Sequence, residues 1–182
     1  MLLESKPGEI NSKIIDFKLK SVNGKFYSPG DFSEAKVLVI IFMCNHCPYV
    51  KGVLERFIAF QDLYRKKNVQ VIGINPNDTD AYPEDSYENM VLFSKERNFN
   101  FPYLIDPTQE TAKAYKAVCT PDIYVYDEKR LLKYRGRFDD NWQDVKKITS
   151  NDLMKAVDLI LAGKEINFKQ IPSMGCSIKW KS

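Results

Sequence analysis

Val37–Phe42 is apolar at every position, within an apolar run that lies between Lys36 and Asn45. A strand of that kind is covered on both faces. Beyond it the period changes. Val50, Val53, Leu54, Phe57, Phe60, Gln61 and Tyr64 recur at helical spacing, and the apolar members predict a helix lying against the strand. Residues 69–74 predict the next buried strand. Residues 85–97 predict a second helix, with Tyr87, Met90, Val91, Phe93 and Ser94 along its inner side.

The remaining elements are shorter. Alternation at 15–19 predicts a strand, and Asn23-Gly24 is a hairpin turn signal before Lys25-Phe26-Tyr27. Residues 103–105 predict a strand, and 108–117 a short helix with Thr108 as N-cap. Residues 123–126 and 131–134 predict a hairpin turning over 127–130. Residues 150–162 predict a last helix, capped by Ser150 or Asn151 and stopped by Gly163. Residues 1–13 read as an N-terminal extension, and 164–182 as a tail without clear period.

Strands alternate with helices over the first two thirds, and a hairpin and a helix close the chain. That order predicts an α/β fold: a central mixed sheet flanked by helices, within one domain over 1–182. No repeat or low-complexity linker divides it.

Composition narrows the function. With 27 basic and 24 acidic residues in 182, the net charge is +3 and both signs are dispersed. That is too mild and too mixed for nucleic acid. The runs Arg65-Lys66-Lys67 and Lys146-Lys147 read as solvated surface. The longest apolar run, 37–44, is far shorter than a membrane span, and the first residues lack the charged start and apolar core of a signal peptide. The expectation is a soluble, cytoplasmic protein without nucleic-acid or membrane partners. Four cysteines in a chain of this length do not make a disulfide scaffold. In a reducing compartment, paired cysteines point to catalysis or metal binding.

Two of the four lie in Cys44-Asn45-His46-Cys47, where the buried strand gives way to the helix. The only histidine of the chain is inside the motif. The nucleophile in thiol chemistry is the thiolate. A free thiol titrates near about 8.5, and helix N-termini, basic neighbours or a Cys-x-x-Cys setting lower this to roughly 3.5–7.5. Cys44 is expected at the helix start, where unpaired N–H groups favour an anion, and a protonated His46 would add positive charge. Pro48 costs little in a first turn. One sulfur can then attack and the other resolve.

Other readings of the same residues stay open. The pair could be reduced core cysteines, or half of a Zn or Cu(I) site completed by His46, Cys119 or Cys176. His46 either tunes a thiolate or faces solvent. Cys119 precedes Thr120-Pro121 at the start of a strand, where proline is unusual and a cis bond would explain it. A buried lone cysteine is usually inert packing. Cys176, in the tail, is either a third redox thiol or a bystander.

These residues give the chain a likeness over roughly 14–162. It resembles the thioredoxin-like superfamily, in its peroxiredoxin-related AhpC/TSA (redoxin) branch. The likeness rests on Asp16-Phe17-x-Leu19 with Asn23-Gly24-Lys25, the apolar strand running into Cys44-x-x-Cys47-Pro48, the strand 71–75, Phe101-Pro102-Tyr103-Leu104-Ile105-Asp106, and Thr120-Pro121 before a strand. The α/β insertion between Asn75 and Asp106 is similar to that branch. The tail Gly175-Cys176-x-Ile178-Lys179-Trp180 resembles the peroxiredoxin-like 1 subgroup.

The resemblance implies roles. Likeness to thioredoxin makes Cys44 the attacking sulfur and Cys47 the resolving one. Pro121 becomes a cis-proline facing the pair, with Thr120 and Cys119 beside it. Likeness to peroxiredoxin instead makes Cys47, before Pro48, the peroxidatic cysteine. In that family a helper threonine stands where this chain has Cys44, and a helper arginine is expected near 119–123, where there is none.

The expected function is therefore a thiol–disulfide oxidoreductase with attack by Cys44, antioxidant in character and without a cofactor. Its partners would be protein or small-molecule disulfides or peroxides, and a thiol reductant such as a thioredoxin or glutathione system. The alternatives are a thiol peroxidase using Cys47 and a non-enzymatic metal-binding or redox-sensing module.

Overall fold

The strand Val37–Phe42 (β4) is the centre of the molecule. All six residues are fully buried. In this computed structural model, which describes residues 1–181, β4 pairs in parallel with Val69–Asn75 (β5) and antiparallel with Asp122–Tyr126 (β8). Leu19–Ser21 (β2), Phe26–Tyr27 (β3), Tyr103–Ile105 (β6) and Leu132–Arg135 (β9) complete a seven-stranded mixed sheet in the order β3-β2-β6-β5-β4-β8-β9.

Successive side chains of β4 leave opposite faces of the sheet, and each face has its own core. Val37, Val39 and Ile41 pack with Pro48–Arg65 (α1) and Asp152–Leu161 (α4). Leu38, Ile40 and Phe42 pack with Tyr115, Tyr124, Tyr126 and Ala112, the last from Glu110–Ala114 (α3). The face of α1 that the sequence predicts as inner, Val50 to Tyr64, is buried throughout. Gln61 belongs there for a reason: its side chain accepts from Val71 N at 2.6 Å and donates to Val69 O at 3.0 Å.

Several elements differ from their sequence prediction. The strand predicted at 15–19 begins only at Leu19. Phe17 and Leu19 are buried as the alternation requires, but β6 offers partners only to Lys20 and Ser21, so the earlier residues lack a ladder. The helix predicted from 85 begins at Tyr87 (α2, Tyr87–Glu96), capped by Ser86, and Asp85 lies before it in a single helical turn, Pro83–Asp85. Thr108 is not the N-cap of α3. Gln109, at a φ of 62°, takes that place.

The largest correction concerns the termini. Leu2–Glu4 (β1), within the extension, and Met174–Ser177 (β10), within the aperiodic tail, are strands. With Cys119–Thr120 (β7) they form a second sheet in the order β1-β10-β7. Both are too short for period to reveal. Among the described residues no helix is long and apolar enough to cross a membrane.

Candidate redox site

The site lies where β4 ends and α1 begins. Helix α1 starts at Pro48, and Cys47 is its N-cap. This corrects the expectation that Cys44 occupies the helix start. Cys44, Asn45 and His46 form the loop ahead of the helix, so the field of the first turn acts on Cys47. Both sulfur-bearing residues are 0% exposed.

The two thiols are strongly polarised. Cys47 is pushed down to about 5, first by the hydrogen bond from the Cys44 thiol, and further by the Thr120 hydroxyl and the backbone N–H groups of Val50 and Cys176; burial opposes them. Cys44 is raised well above its ordinary value by the same bond seen from the donor's side, then by burial and by the Asp85 charge. One contact works against a Cys47 thiolate: the Thr120 carbonyl, 3.1 Å away, takes a hydrogen bond from the protonated sulfur. Four donors outweigh one acceptor, and the pair holds its single negative charge on Cys47.

Thr120 touches both sulfurs, with its hydroxyl 3.5 Å from Cys44 Sγ. Thr120 belongs to β7, and the Thr120–Pro121 peptide bond that follows it is cis. Neighbouring residues in a strand face opposite ways, so Cys119 points elsewhere. Its buried thiol lies 3.6 Å from Pro121 O and 3.9 Å from Ser173 O, and burial pushes its pKa up. Cys176 is brought in by the tail. It stands directly across from Thr120 in the β10–β7 ladder, half-buried and packed against the cluster that holds Cys44 and Cys47, and its pKa is raised by burial and then with help from the Cys47 charge. The structure thus gathers Cys44, Cys47, Thr120 and Cys176, and leaves Cys119 on the far side of β7.

His46 does not project freely into solvent. Its Nδ1 is 2.6 Å from Asp85 Oδ2, and its ring stacks on Tyr82 with centroids 5.6 Å apart. The Asp85 bond raises its pKa, against burial. Asp85 is fully buried. It accepts from Asn45 N at 2.8 Å and Asn77 Nδ2 at 2.7 Å; burial works to raise its pKa, and these bonds with His46 carry it below the usual range. Asn45 is fixed in turn by Tyr103 Oη at 2.9 Å and by Glu84 O at 2.9 Å.

Asp85, Asn77 and Tyr103 are the site residues that sequence reasoning missed. Asp85 lies 38 positions from Cys47 and 41 from Cys44 and reads as part of a helix. The one available signal is the polar run Asn75-Pro76-Asn77-Asp78 at the end of a buried strand, where ligand-facing loops gather.

Ligand atoms of Cys44, His46 and Asp85 lie within 4.8 Å of one another. That is a different set from the one expected for Zn or Cu(I), which called on Cys119 or Cys176. Both Asp85 oxygens already accept hydrogen bonds, so the cluster is satisfied as a protein network.

The AhpC/TSA family profile matches residues 10–135. The chain belongs to the AhpC/TSA family. A solved structure of an uncharacterized conserved protein from Geobacillus kaustophilus is 41% identical, covers 100% of this chain and 97% of that one, and superposes with a TM-score of 0.94. A hypothetical protein from Sinorhizobium meliloti is 37% identical over 98% of each chain, with a TM-score of 0.94. Among curated relatives, a Helicobacter pylori protein assigned as peroxiredoxin bcp is 26% identical over 109 residues, which is 60% of this chain and 66% of the relative. The chain thus spans a little under two thirds of the curated relative's length. More distant peroxidoxin and thiol:disulfide interchange structures share the mixed sheet, and the fold is thioredoxin-like.

Proposed function

We propose that this protein is a thiol–disulfide oxidoreductase in which Cys44 and Cys47 cycle between dithiol and disulfide, with Cys47 as the attacking sulfur. One observation carries the reading: Cys47 is the N-cap of α1 and receives the Cys44 hydrogen bond, which holds the charge on it. A thiolate attacks and a thiol resolves. This reverses the order taken from thioredoxin.

The oxidised substrates are disulfides or peroxides, and the full burial of both sulfurs favours small ones. A soluble thiol, of the glutathione or thioredoxin kind, returns the pair to the dithiol. We place the protein in the cytoplasm, where a reducing environment returns such a pair to the dithiol.

Replacing Cys47 by Ser should abolish reduction of a small model disulfide. Replacing Cys44 by Ser should stop turnover but keep the first attack in a single-turnover measurement. If Cys44→Ser loses that first attack and Cys47→Ser keeps it, the order of the sulfurs is the other one.

A second reading, thiol peroxidase, draws on the same Cys47-Pro48 start of α1 and on the N–H groups of Val50 and Cys176 at the sulfur. Against it, no arginine stands at 119–123, where the family's helper is expected, and Cys44 stands where the family's threonine is expected. Stopped-flow mixing with hydrogen peroxide separates the two. Sulfenic acid forming on Cys47 far faster than on free cysteine selects the peroxidase.

A further inference from the structure

Both sulfurs of the pair are sealed from solvent, while a reductant of any size must make a bond to sulfur to reduce a disulfide. The seal is local. Strand β10 lies over the pair between β1 and β7, and it approaches so closely that a Cβ at Gly175 would stand 2.0 Å from Thr120 O. The residue after that glycine is Cys176. It is half-buried, it stands across from Thr120 in the β10–β7 ladder, and it packs against the core cluster that holds Cys44 and Cys47. The cover of the buried pair therefore carries a thiol-bearing residue that packs against the pair's cluster and is itself only partly buried.

We propose that Cys176 is the exchange thiol of this protein: it takes the disulfide over from the buried Cys44–Cys47 pair and presents it to a soluble thiol reductant. The proposal rests on the oxidoreductase reading of the pair.

The chemistry balances without a further oxidant. Starting from the Cys44–Cys47 disulfide, the Cys176 thiolate attacks Cys47 Sγ. The Cys47–Cys176 bond forms, the Cys44–Cys47 bond breaks, and Cys44 leaves with the electron pair. The proton lost by Cys176 is matched by the one Cys44 takes up. A His46 ring nitrogen lies within 4.8 Å of the Cys44 sulfur and can relay it. An external thiolate then attacks the exposed side, at Cys176 Sγ, and Cys47 leaves as a thiolate. A second external thiol clears the mixed disulfide from Cys176. Two thiols are oxidised to one disulfide, and the protein recovers three thiols.

The electrostatics run in the required direction. In the dithiol state Cys176 is pushed up to about 11, first by burial and then by the hydrogen bond and negative charge at Cys47, with Lys179 opposing. Oxidation of the pair removes the charge on Cys47. The Cys176 thiol is thus held protonated while the pair is reduced and is released toward the thiolate when the pair is oxidised.

Disulfide mapping and reduction kinetics test this together. Wild type oxidised with diamide should carry a bond to Cys47, and its absence would sink the oxidoreductase reading itself. Cys44→Ser, which leaves β10 untouched, should form a Cys47–Cys176 bond with diamide. Finding both thiols free under conditions that fully oxidise wild type overturns the proposal. Pre-oxidised Cys176→Ala should be reduced by glutathione at least about tenfold more slowly than wild type, as expected when an internal exchange step is lost. Equal rates would mean that glutathione reaches the pair directly. Faster reduction would mean that Cys176 only fastens the cover. Either result overturns the proposal.

Discussion

Asp85 closes on His46 with 2.6 Å between Oδ2 and Nδ1, and its other oxygen accepts from the backbone N–H of Asn45 at 2.8 Å. One buried carboxylate thereby holds both the loop of the Cys-x-x-Cys motif and the histidine within it. The insertion between β5 and β6 supplies that carboxylate, so the insertion is part of the site's architecture.

Asp85→Asn should lower the His46 pKa toward its ordinary value and destabilise the fold by about 1–3 kcal/mol, the usual cost of leaving buried partners unmatched. The chain has one histidine, so a single imidazole resonance reports the titration by NMR. Denaturant unfolding gives the stability. An unmoved His46 titration would mean that the contact is not made in solution.

The same pair sets a pH dependence. His46 is raised when folded, so its contribution is fully present below the unfolded value near about 6.5 and is lost as pH rises through the folded one. Asp85 is lowered, so its contribution is present above its unfolded value near about 3.9 and is lost as pH falls through the folded one. The stability difference between wild type and His46→Gln should therefore be largest between these limits and shrink above neutrality. A difference that grows with pH would contradict the pairing.

Cys47 adds a slope of its own. Its folded value of about 5 lies below the ordinary thiol value, so its contribution is present above that ordinary value and is lost as pH falls toward about 5. Thiolate ultraviolet absorbance of the reduced protein should show one proton leaving the pair near about 5. Cys44→Ala removes the leading donor and should move that step upward. A step that stays in place would assign the acidity to the helix N-terminus alone.

Gly175→Ala should lift β10 from β7, because its Cβ has no room against the Thr120 carbonyl. Overpacking of this kind costs about 1–3 kcal/mol. Hydrogen exchange at the amides of β1 and β10 should accelerate, and Cys47 should react faster with a maleimide. Unchanged protection of β10 would show that the strand yields elsewhere.

Arg135→Leu should cost about 3–5 kcal/mol, because it leaves the buried Asp122 carboxylate without its cation. Asp122 is raised by burial even with the guanidinium 2.8 Å away, so the variant should lose further stability as pH rises and the carboxyl ionises. Urea unfolding at two pH values reads both effects.

How far the sequence reaches depends on the range over which each element is decided. Apolar runs and helical periods mark β4, α1 and β5, because burial on a sheet or along a helix face repeats every two or every three to four residues. The motif Cys44-x-x-Cys47 and its place between strand and helix were legible for the same reason. The local pattern also carried Thr120-Pro121 and the family. It did not carry which cysteine caps α1: both sulfurs lie between the strand end at Phe42 and the helix start at Pro48, and no local period says which of them meets the first turn.

Tertiary structure decided what no period records. Asp85 stands beside His46 only because an insertion folds back over the end of β4. Cys176 comes to the pair only because β10, four residues long, finds its hydrogen-bond partners in β1, at the opposite end of the chain, and in β7, more than fifty residues before it. Cys119 is turned from the pair by the pleat of β7, although it is next to Thr120 in sequence. A sequence determines which side chains seek burial and with what spacing. Which thiol receives a proton, a donor or a covering strand depends on distances between segments that only the folded chain brings together.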